Sequence, residues 1–525
     1  MLKILFQCLL AAMLLANPAF ALTPLEATSM AVGETDQRVA ALRAALVSAD
    51  DKTIAFIQAL SDEVVKIVQD RPVVLVGTTG VDPVTGLAVV VPDTAEDVMS
   101  NNRMRGELDA ALAAVKILSK DPAARLQAVN TLQGDVDESK LVLLNKAYAA
   151  EVVADIKDRI GMLRAATMLN LPDKVQRLDA AKQLRTSSQA ATKTLLIDRL
   201  QIETDAEVKA AIRQSLSAVE SRLAWGDRLG AVFSGLSLGS ILLLVALGLA
   251  ITYGLMGVIN MAHGELMMIG AYATYVVQGV FRTYFPGAFD WYLLASVPVA
   301  FASAALVGAA LERSVIRFLY GRPLETLLAT WGISLMLMQL VRTVFGAQNV
   351  GVENPSWMSG GVQVMGNLSL PYNRLVILGF AVAVLIGVWL LIEKTRFGLF
   401  VRAVTQNRPI ASCMGVNTAR VDTYAFALGS GIAGLAGCAL SQVGNVGPDL
   451  GQGYIVDSFL VVVLGGVGQL AGTVYAAMGL GILNKLLEGW LGAVLAKIAL
   501  LLFIIIFIQK RPQGIFAMKG RSAEA

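Results

Sequence analysis

The chain has 525 residues, of which 55% are hydrophobic and 16% charged, with a formal net charge of +3 and a mean hydropathy of +0.63. Its basic residues are thinly spread and form no cluster with aromatics, which excludes a nucleic-acid surface. The averages conceal two halves. From Thr23 to about Arg228 charges recur every few residues, whereas from about Leu229 to Gln509 long apolar runs dominate, so a soluble domain precedes an integral membrane domain.

Residues 1–21 have the form of a secretory signal: Lys3, a short apolar core from Ile4 to Leu15, and Ala19-Phe20-Ala21 as an A-x-A cleavage site. Cleavage would leave Cys413 and Cys438 as the only cysteines, both in or beside predicted bilayer segments, so free thiols are expected rather than a disulfide framework. Residues 22–228 would then form a periplasmic domain. It reads as mostly helical, with apolar residues at three- and four-residue spacing. One interruption, Arg71 to Pro92, carries two β-branched runs around Gly and Asp-Pro and predicts a β-hairpin.

An internal repeat follows. Ala124–Leu132 matches Gln176–Leu184 at an offset of 52, as does Leu143-Leu144 with Leu195-Leu196, and Glu151–Ile160 matches Glu207–Leu216 at an offset of 56. Amphipathic helices recurring at this period resemble HEAT-type repeats, which stack because one pair cannot bury its own apolar face. The domain offers no metal-spaced His/Cys set and no nucleophile constellation, so neither enzyme chemistry nor a cofactor is expected.

The membrane domain is placed at 229–519. Apolar runs occur at 232–253, 263–281, 292–312, 325–345, 374–392, 421–440, 455–467, 472–487 and 494–509. The expected fold is therefore an all-α polytopic bundle of eight or nine crossings, the short Gly-interrupted pair at 455–487 being candidates for half-helices. The gaps at 313–322, 393–408 and 509–521 hold most of the Lys and Arg of this half, and 346–373 holds none. The positive-inside rule puts those three gaps and the C-terminus in the cytoplasm, in a bacterial inner membrane.

Within Gly248–Val277, Asn260, His263 (the one histidine of the chain) and Glu265 interrupt an apolar run. Polar groups in a span are costly unless satisfied, so such a break is a candidate solute path. The predicted topology also allows a plainer role at the cytoplasmic mouth, with Glu265 as a first-turn acid stabilised by the helix dipole and Asn260 as a cap. Thr395–Gly434 lays out a short amphipathic helix, then Gly415 and a charged step into the next span. Leu460–Gly481 contains GGVGQLAG but no G-x-x-x-x-G-K-[ST] occurs anywhere, so the chain cannot hydrolyse ATP itself.

YGLMGVINMAHGELMMIGAY, ETLLATWGISLMLMQLVRTVFG, the loop ending ASCMGVN and VVVLGGVGQLAGTVYAA together resemble the permeases of branched-chain amino-acid ABC importers, over essentially all of 229–519. GAQNVGVENPSWMSGG and the long N-terminal domain resemble the urea-importer members of that family. The resemblance implies that the loop bearing Arg402, Ala411 and Gly415 docks into an ATPase, although the acidic residue that often opens this loop is missing. It also implies partners: two cytoplasmic ATPases, a second related permease and a periplasmic solute-binding protein. A neutral solute such as urea needs hydrogen-bonding groups more than charges, and the spans offer few charges; a branched-chain amino acid or a passive channel are the competing expectations.

Overall fold

The computed structural model describes residues 22–47, 51–77, 79–92, 95–132, 140–511 and 513–516; the predicted signal segment and residues 517–519 lie outside these. The chain divides into two compact units, one up to Leu223 and one from Ala224 onward.

The first unit opens with three helices, α1 (Pro24–Ala31), α2 (Thr35–Val47) and α3 (Asp51–Ser61), followed by a sheet. The expected single hairpin is corrected to five antiparallel strands in the order β4-β3-β2-β1-β5: β1 (Val65–Val68), β2 (Arg71–Val76), β3 (Thr79–Val81), β4 (Ala88–Val89) and β5 (Glu96–Asp97). The Asp-Pro turn forms as expected, Asp82 Oδ1 accepting from the Val84 and Thr85 N–H groups. The sheet grew beyond the hairpin because β5 is two acidic residues with no β-pattern of its own. It is recruited by pairing across Lys66↔Asp97, where the two side chains form an ion pair of 3.1 Å.

Seven helices complete this unit, the last six of them in two copies of one arrangement. α4 (Asn102–Lys116) leads into α5 (Pro122–Leu132), α6 (Leu141–Ala150) and α7 (Ala154–Met168); α8 (Lys174–Leu184), α9 (Ala190–Ile202) and the start of α10 (Ala206–Met256) repeat the latter three. The buried residues Ala128, Val129, Leu132, Leu144, Ile156 and Ile160 of one copy correspond at an offset of 52 to Ala180, Ala181, Leu184, Leu196, Val208 and Ile212 of the other. The offset of 56 read from Glu151–Ile160 is therefore corrected to 52; Glu151 corresponds to Glu203. Each of these glutamates clasps an arginine with both oxygens, Arg125 to Glu151 at 2.7 and 3.0 Å and Arg177 to Glu203 at 3.0 and 3.2 Å. Each also accepts the next two backbone N–H groups, Val152 and Val153 or Thr204 and Asp205. The arginines in turn donate to Ser119 and Lys120 or to Leu171 and Pro172 carbonyls. One side-chain pair thus closes both loops of each copy.

Among its described residues the second unit contains nine long helices. They are the remainder of α10, α11 (His263–Tyr284), α12 (Tyr292–Ser314), α13 (Pro323–Phe345), α14 (Tyr372–Lys394), α17 (Thr418–Ser441), α18 (Leu450–Gly465), α19 (Leu470–Leu491) and α20 (Ala493–Lys510). A hairpin of β6 (Gly361–Met365) and β7 (Leu368–Pro371) precedes α14, and the short helices α15 (Arg396–Gln406) and α16 (Arg408–Cys413) precede α17. Seven of the nine are long and apolar enough to cross a membrane; α11 and α18 are the other two. Of the pair expected as half-helices, α18 is short, but α19 is a 22-residue span.

Helices α11, α12 and α17 pack backbone to backbone. A Cβ at Gly270 would overlap the Gly434 carbonyl, one at Gly437 the Met267 carbonyl, and one at Gly434 the Ala300 carbonyl. In lipid there is no hydrophobic drive between helices, so this close approach, which only glycine permits, supplies the association through packing.

Candidate functional site

α10 ends at Met256, and Gly257 turns the chain with φ +65°. Residues 257–262 then lie outside any helix until α11 begins at His263. A Cβ at Gly248 would touch both the Gly429 carbonyl and the His263 ring, so α11 starts level with Gly429. That is eleven residues, or about 16 Å, into α17. Helix α18 begins at the same level, with Gly264 and Gly451 backbone against backbone. Two helix N-termini therefore meet roughly half-way along the spans around them. His263 and Glu265 are buried within the unit, at 0% and 1% exposed.

Each polar group of the break has one satisfied atom and one without a partner. Asn260 Oδ1 accepts from the Ala262 N–H at 3.0 Å, a local turn rather than the expected cap, since the capping position is Ala262; Asn260 Nδ2 has no partner. His263 Nε2 lies 3.1 Å from the Val245 carbonyl. A carbonyl only accepts, so Nε2 carries the proton and Nδ1 is left a bare acceptor. Ser334 of α13 donates to Glu265 Oε1 at 3.0 Å, and Oε2 is unpartnered. Two turns on, the Tyr272 hydroxyl is also buried without a partner, its ring 4.7 Å from Phe345. Asp449, at the start of α18, lies within electrostatic reach of both Glu265 and Tyr272. A cavity of about 100 Å³ opens beside Asn260, walled by Leu249, Tyr253, Met261, Ile455 and Phe459.

Buried polar atoms ordinarily find hydrogen-bond partners, and among the described residues four near this one helix junction have none. Tyr272, Ser334 and Asp449 were missed from sequence. Tyr272 sits seven residues after Glu265 and so on the same helix face, which was a legible signal; the other two arrive from distant helices.

In the Thr395–Gly434 segment the residues singled out separate. Arg402 pairs with Glu393 at 2.8 Å on the surface. Ala411 is 4% exposed among Val401, Val404 and Val421, so its smallness serves the packing of α15, α16 and α17 on one another. Gly415, at φ +85°, ends α16 in a conformation closed to most side chains, with open space where a Cβ would stand. Ile410 and Met414 project from α16 with 61% and 79% exposure.

This is the architecture of a multi-pass helical membrane protein with broken elements inside. A family model described as the permease component of branched-chain amino acid transport systems matches residues 231–509. The LivH permease protein of the high-affinity branched-chain amino acid system of Salmonella typhimurium is 28% identical over 293 residues, 54% of this chain and 94% of its own. The BraD permease of the corresponding Pseudomonas aeruginosa system is 26% identical over 292 residues, 54% and 93%. The ribose import permease RbsC of Escherichia coli is 27% identical over 201 residues, 37% and 60%. No solved structure matches the chain. The chain belongs to the branched-chain amino acid transport permease family. It is the permease component of an ABC-type transporter and not an enzyme, and permeases of this family work with ATPase and substrate-binding partners.

Proposed function

We propose that this chain is the permease subunit of an ATP-driven importer of urea or a short amide, with the solute passing the junction of α11 and α18. The observation that supports it most is the chemistry of the orphan atoms. Glu265 Oε2 and the nearby Asp449 offer carboxylate acceptors, and Tyr272 a hydroxyl, while among the described residues no lysine or arginine pairs with either carboxylate. A solute rich in N–H donors and lacking a carboxylate fits that set. In this reading the importer carries two ATPases, a second related permease and a periplasmic solute-binding protein. Residues 22–228 form a periplasmic domain with HEAT-type repeats that influences assembly or docking of the binding protein, and the basic gaps and C-terminus face the cytoplasm. The loop from Arg402 to Val416 engages an ATPase through the exposed Ile410 and Met414.

A second reading, import of branched-chain amino acids, is favoured by the names of the relatives and by the two helix N-termini, whose positive ends suit a carboxylate. Uptake of labelled urea and labelled leucine by cells with and without this chain separates them. Urea uptake that depends on the chain supports the first reading; leucine uptake without urea uptake refutes it.

A further inference from the structure

We propose that Glu312, Tyr320 and Arg408 form a positioning node that carries movement of α16 to the break before α11. The proposal rests on the reading of α15–α16 as the ATPase-docking element and adds the residues through which it acts.

Glu312 stands in the last turn of α12 and is 0% exposed. Its carboxylate is held from three directions. Arg317 donates to Oε1 at 3.3 Å and to Oε2 at 3.2 Å, the Tyr320 hydroxyl lies 3.0 Å from Oε1, and Thr423 of α17 donates to Oε2 at 2.6 Å. Arg317 reaches on to the Thr423 hydroxyl and the Ala419 carbonyl, so the end of α12, the 315–322 loop and the first turn of α17 are one assembly. Arg317 supplies the charge this buried carboxylate needs, and the hydroxyls of Tyr320 and Thr423 fix its orientation.

Two contacts lead out of this assembly. Toward the docking element, Arg408, the first residue of α16, pairs with Asp422 and lies over the Tyr320 ring, 5.1 Å from its centre. Toward the break, the Tyr320 hydroxyl lies 3.2 Å from Met256 Sδ, on the last residue of α10. The phenol gives its one proton to the Glu312 carboxylate, a far stronger acceptor than a thioether, and its oxygen rests against Met256 Sδ, so Tyr320 held by α12 bears directly on the end of α10. The apolar surroundings make the same connection: Val258, inside the break, packs with Ile316 and Phe426, and Met256 and Tyr320 lie against that cluster. Immediately between Met256 and Val258 stands Gly257, whose φ of +65° makes it a natural hinge. From Gly257 the chain leads through Asn260 to His263 and Glu265.

An internal ion pair with no part in transmission is the plainer account of Glu312 and Arg317. It gives no reason for Tyr320 to join an arginine of α16 to a methionine at the break, nor for the break and the loop to share one cluster. A positioning role makes a distinct demand: loss of the joint should separate ATP turnover from solute movement without loosening the fold.

The test uses the assembled transporter in proteoliposomes, with ATP hydrolysis and uptake measured together, the probe being labelled urea, or labelled leucine if cell uptake selects it. Tyr320→Phe keeps the ring under Arg408 and removes the hydroxyl. The expected result is uptake lowered about tenfold, within the usual range of a coupling energy, with ATP turnover within about twofold of the parent and ATPase co-purification and melting temperature unchanged. Met256→Leu should lower uptake in the same direction, and the double variant should lose no more than Tyr320→Phe alone, because that variant already removes the contact with Met256. Arg408→Lys should retain part of the coupling and Arg408→Gln should not. Met414→Asp tests the underlying reading separately. Lost co-purification in that variant supports docking through α16, and normal co-purification with normal uptake refutes the docking reading. The node is overturned if uptake and hydrolysis fall in equal proportion in Tyr320→Phe, if neither changes, or if the double variant shows the full sum of two independent losses.

Discussion

The meeting of α11 and α18 rests on two residues without side chains, and Gly264→Ala tests what that contact is for. A Cβ built at position 264 falls on the Gly451 carbonyl, 2.8 Å from its carbon and 3.1 Å from Cα. Optimal carbon–carbon separation is about 3.5–4.0 Å, so the two N-termini must part by roughly 1 Å. The opposing atoms are backbone and cannot rotate aside, and overpacking of this kind costs about 1–3 kcal/mol. Spread over a unit of this size, that strain leaves the protein folded and inserted. Directed at the junction where Glu265, Tyr272 and Asp449 gather, it displaces the site by a distance that matters for hydrogen bonding. Uptake normalised to membrane abundance should fall about tenfold or more, since 1.4 kcal/mol is a factor of ten. Gly279→Ala on α11 and Gly453→Ala on α18 are the controls, because each glycine has nothing within 4 Å of the added carbon. If Gly264→Ala transports as these two do, the junction is a packing detail and the path lies elsewhere.

Three further outcomes are expected. Arg125 hydrogen-bonds Glu151 and holds its carboxyl below the usual range, so the folded form binds fewer protons. The stability this contributes is complete above the ordinary carboxylate pKa and lost as pH falls through the lower folded value; melting of the solubilised protein between about pH 7 and pH 3 should show that slope, flattened in Glu151→Gln. A Cβ at Gly415 meets no atom, but Gly415→Trp forces a bulky residue to φ +85°, at a cost of about 1–2 kcal/mol. Abundance should hold while ATPase co-purification weakens and uptake is lost; normal values of all three would remove the coupling assignment. His263→Gln retains a donor for the Val245 carbonyl and removes the imidazole. Because a neutral solute moved by ATP needs no proton relay, the uptake-versus-pH curve should keep its shape, and a flattened curve would contradict this.

The runs were legible because apolar length is a one-dimensional signal: each of the nine expected segments overlaps a helix, and the break at 257–262 stands beside the polar Asn260, His263 and Glu265. Its depth was not legible. Positive-inside counting locates loops, whereas the level of His263 is fixed by Gly248 and Gly429, residues that carry no polarity signal at all. The same limit hid Ser334 and Asp449, whose relation to Glu265 exists only through helix packing. The repeat was half visible. Apolar residues at an offset of 52 could be matched, but the third pair slipped to 56 because both alignments of an Ala/Leu-rich helix look alike, and the deciding mark, an arginine 26 residues before a glutamate in each copy, is polar. Glu312 carried a signal that went unused: a carboxylate closing an apolar run needs a cation, and Arg317 follows within a turn and a half.

The glycine-lined seams among α11, α12 and α17 set what in this unit is able to move. Helices separated by interlocking side chains can slide by exchanging rotamers, but surfaces in direct backbone contact have no such adjustable layer, so relative motion would require them to come apart in lipid. By that argument these three helices hold together as one group. The unwound 257–262 segment and the α15–α16 pair lie outside those seams, whereas α18 shares them, in backbone contact with Gly264 through Gly451 and with Gly472 through Gly465. Glu265 and Tyr272 stand on α11 and Asp449 at the start of α18. In the proposed path the solute station is therefore built on two helices held backbone to backbone, and opening it means separating that contact.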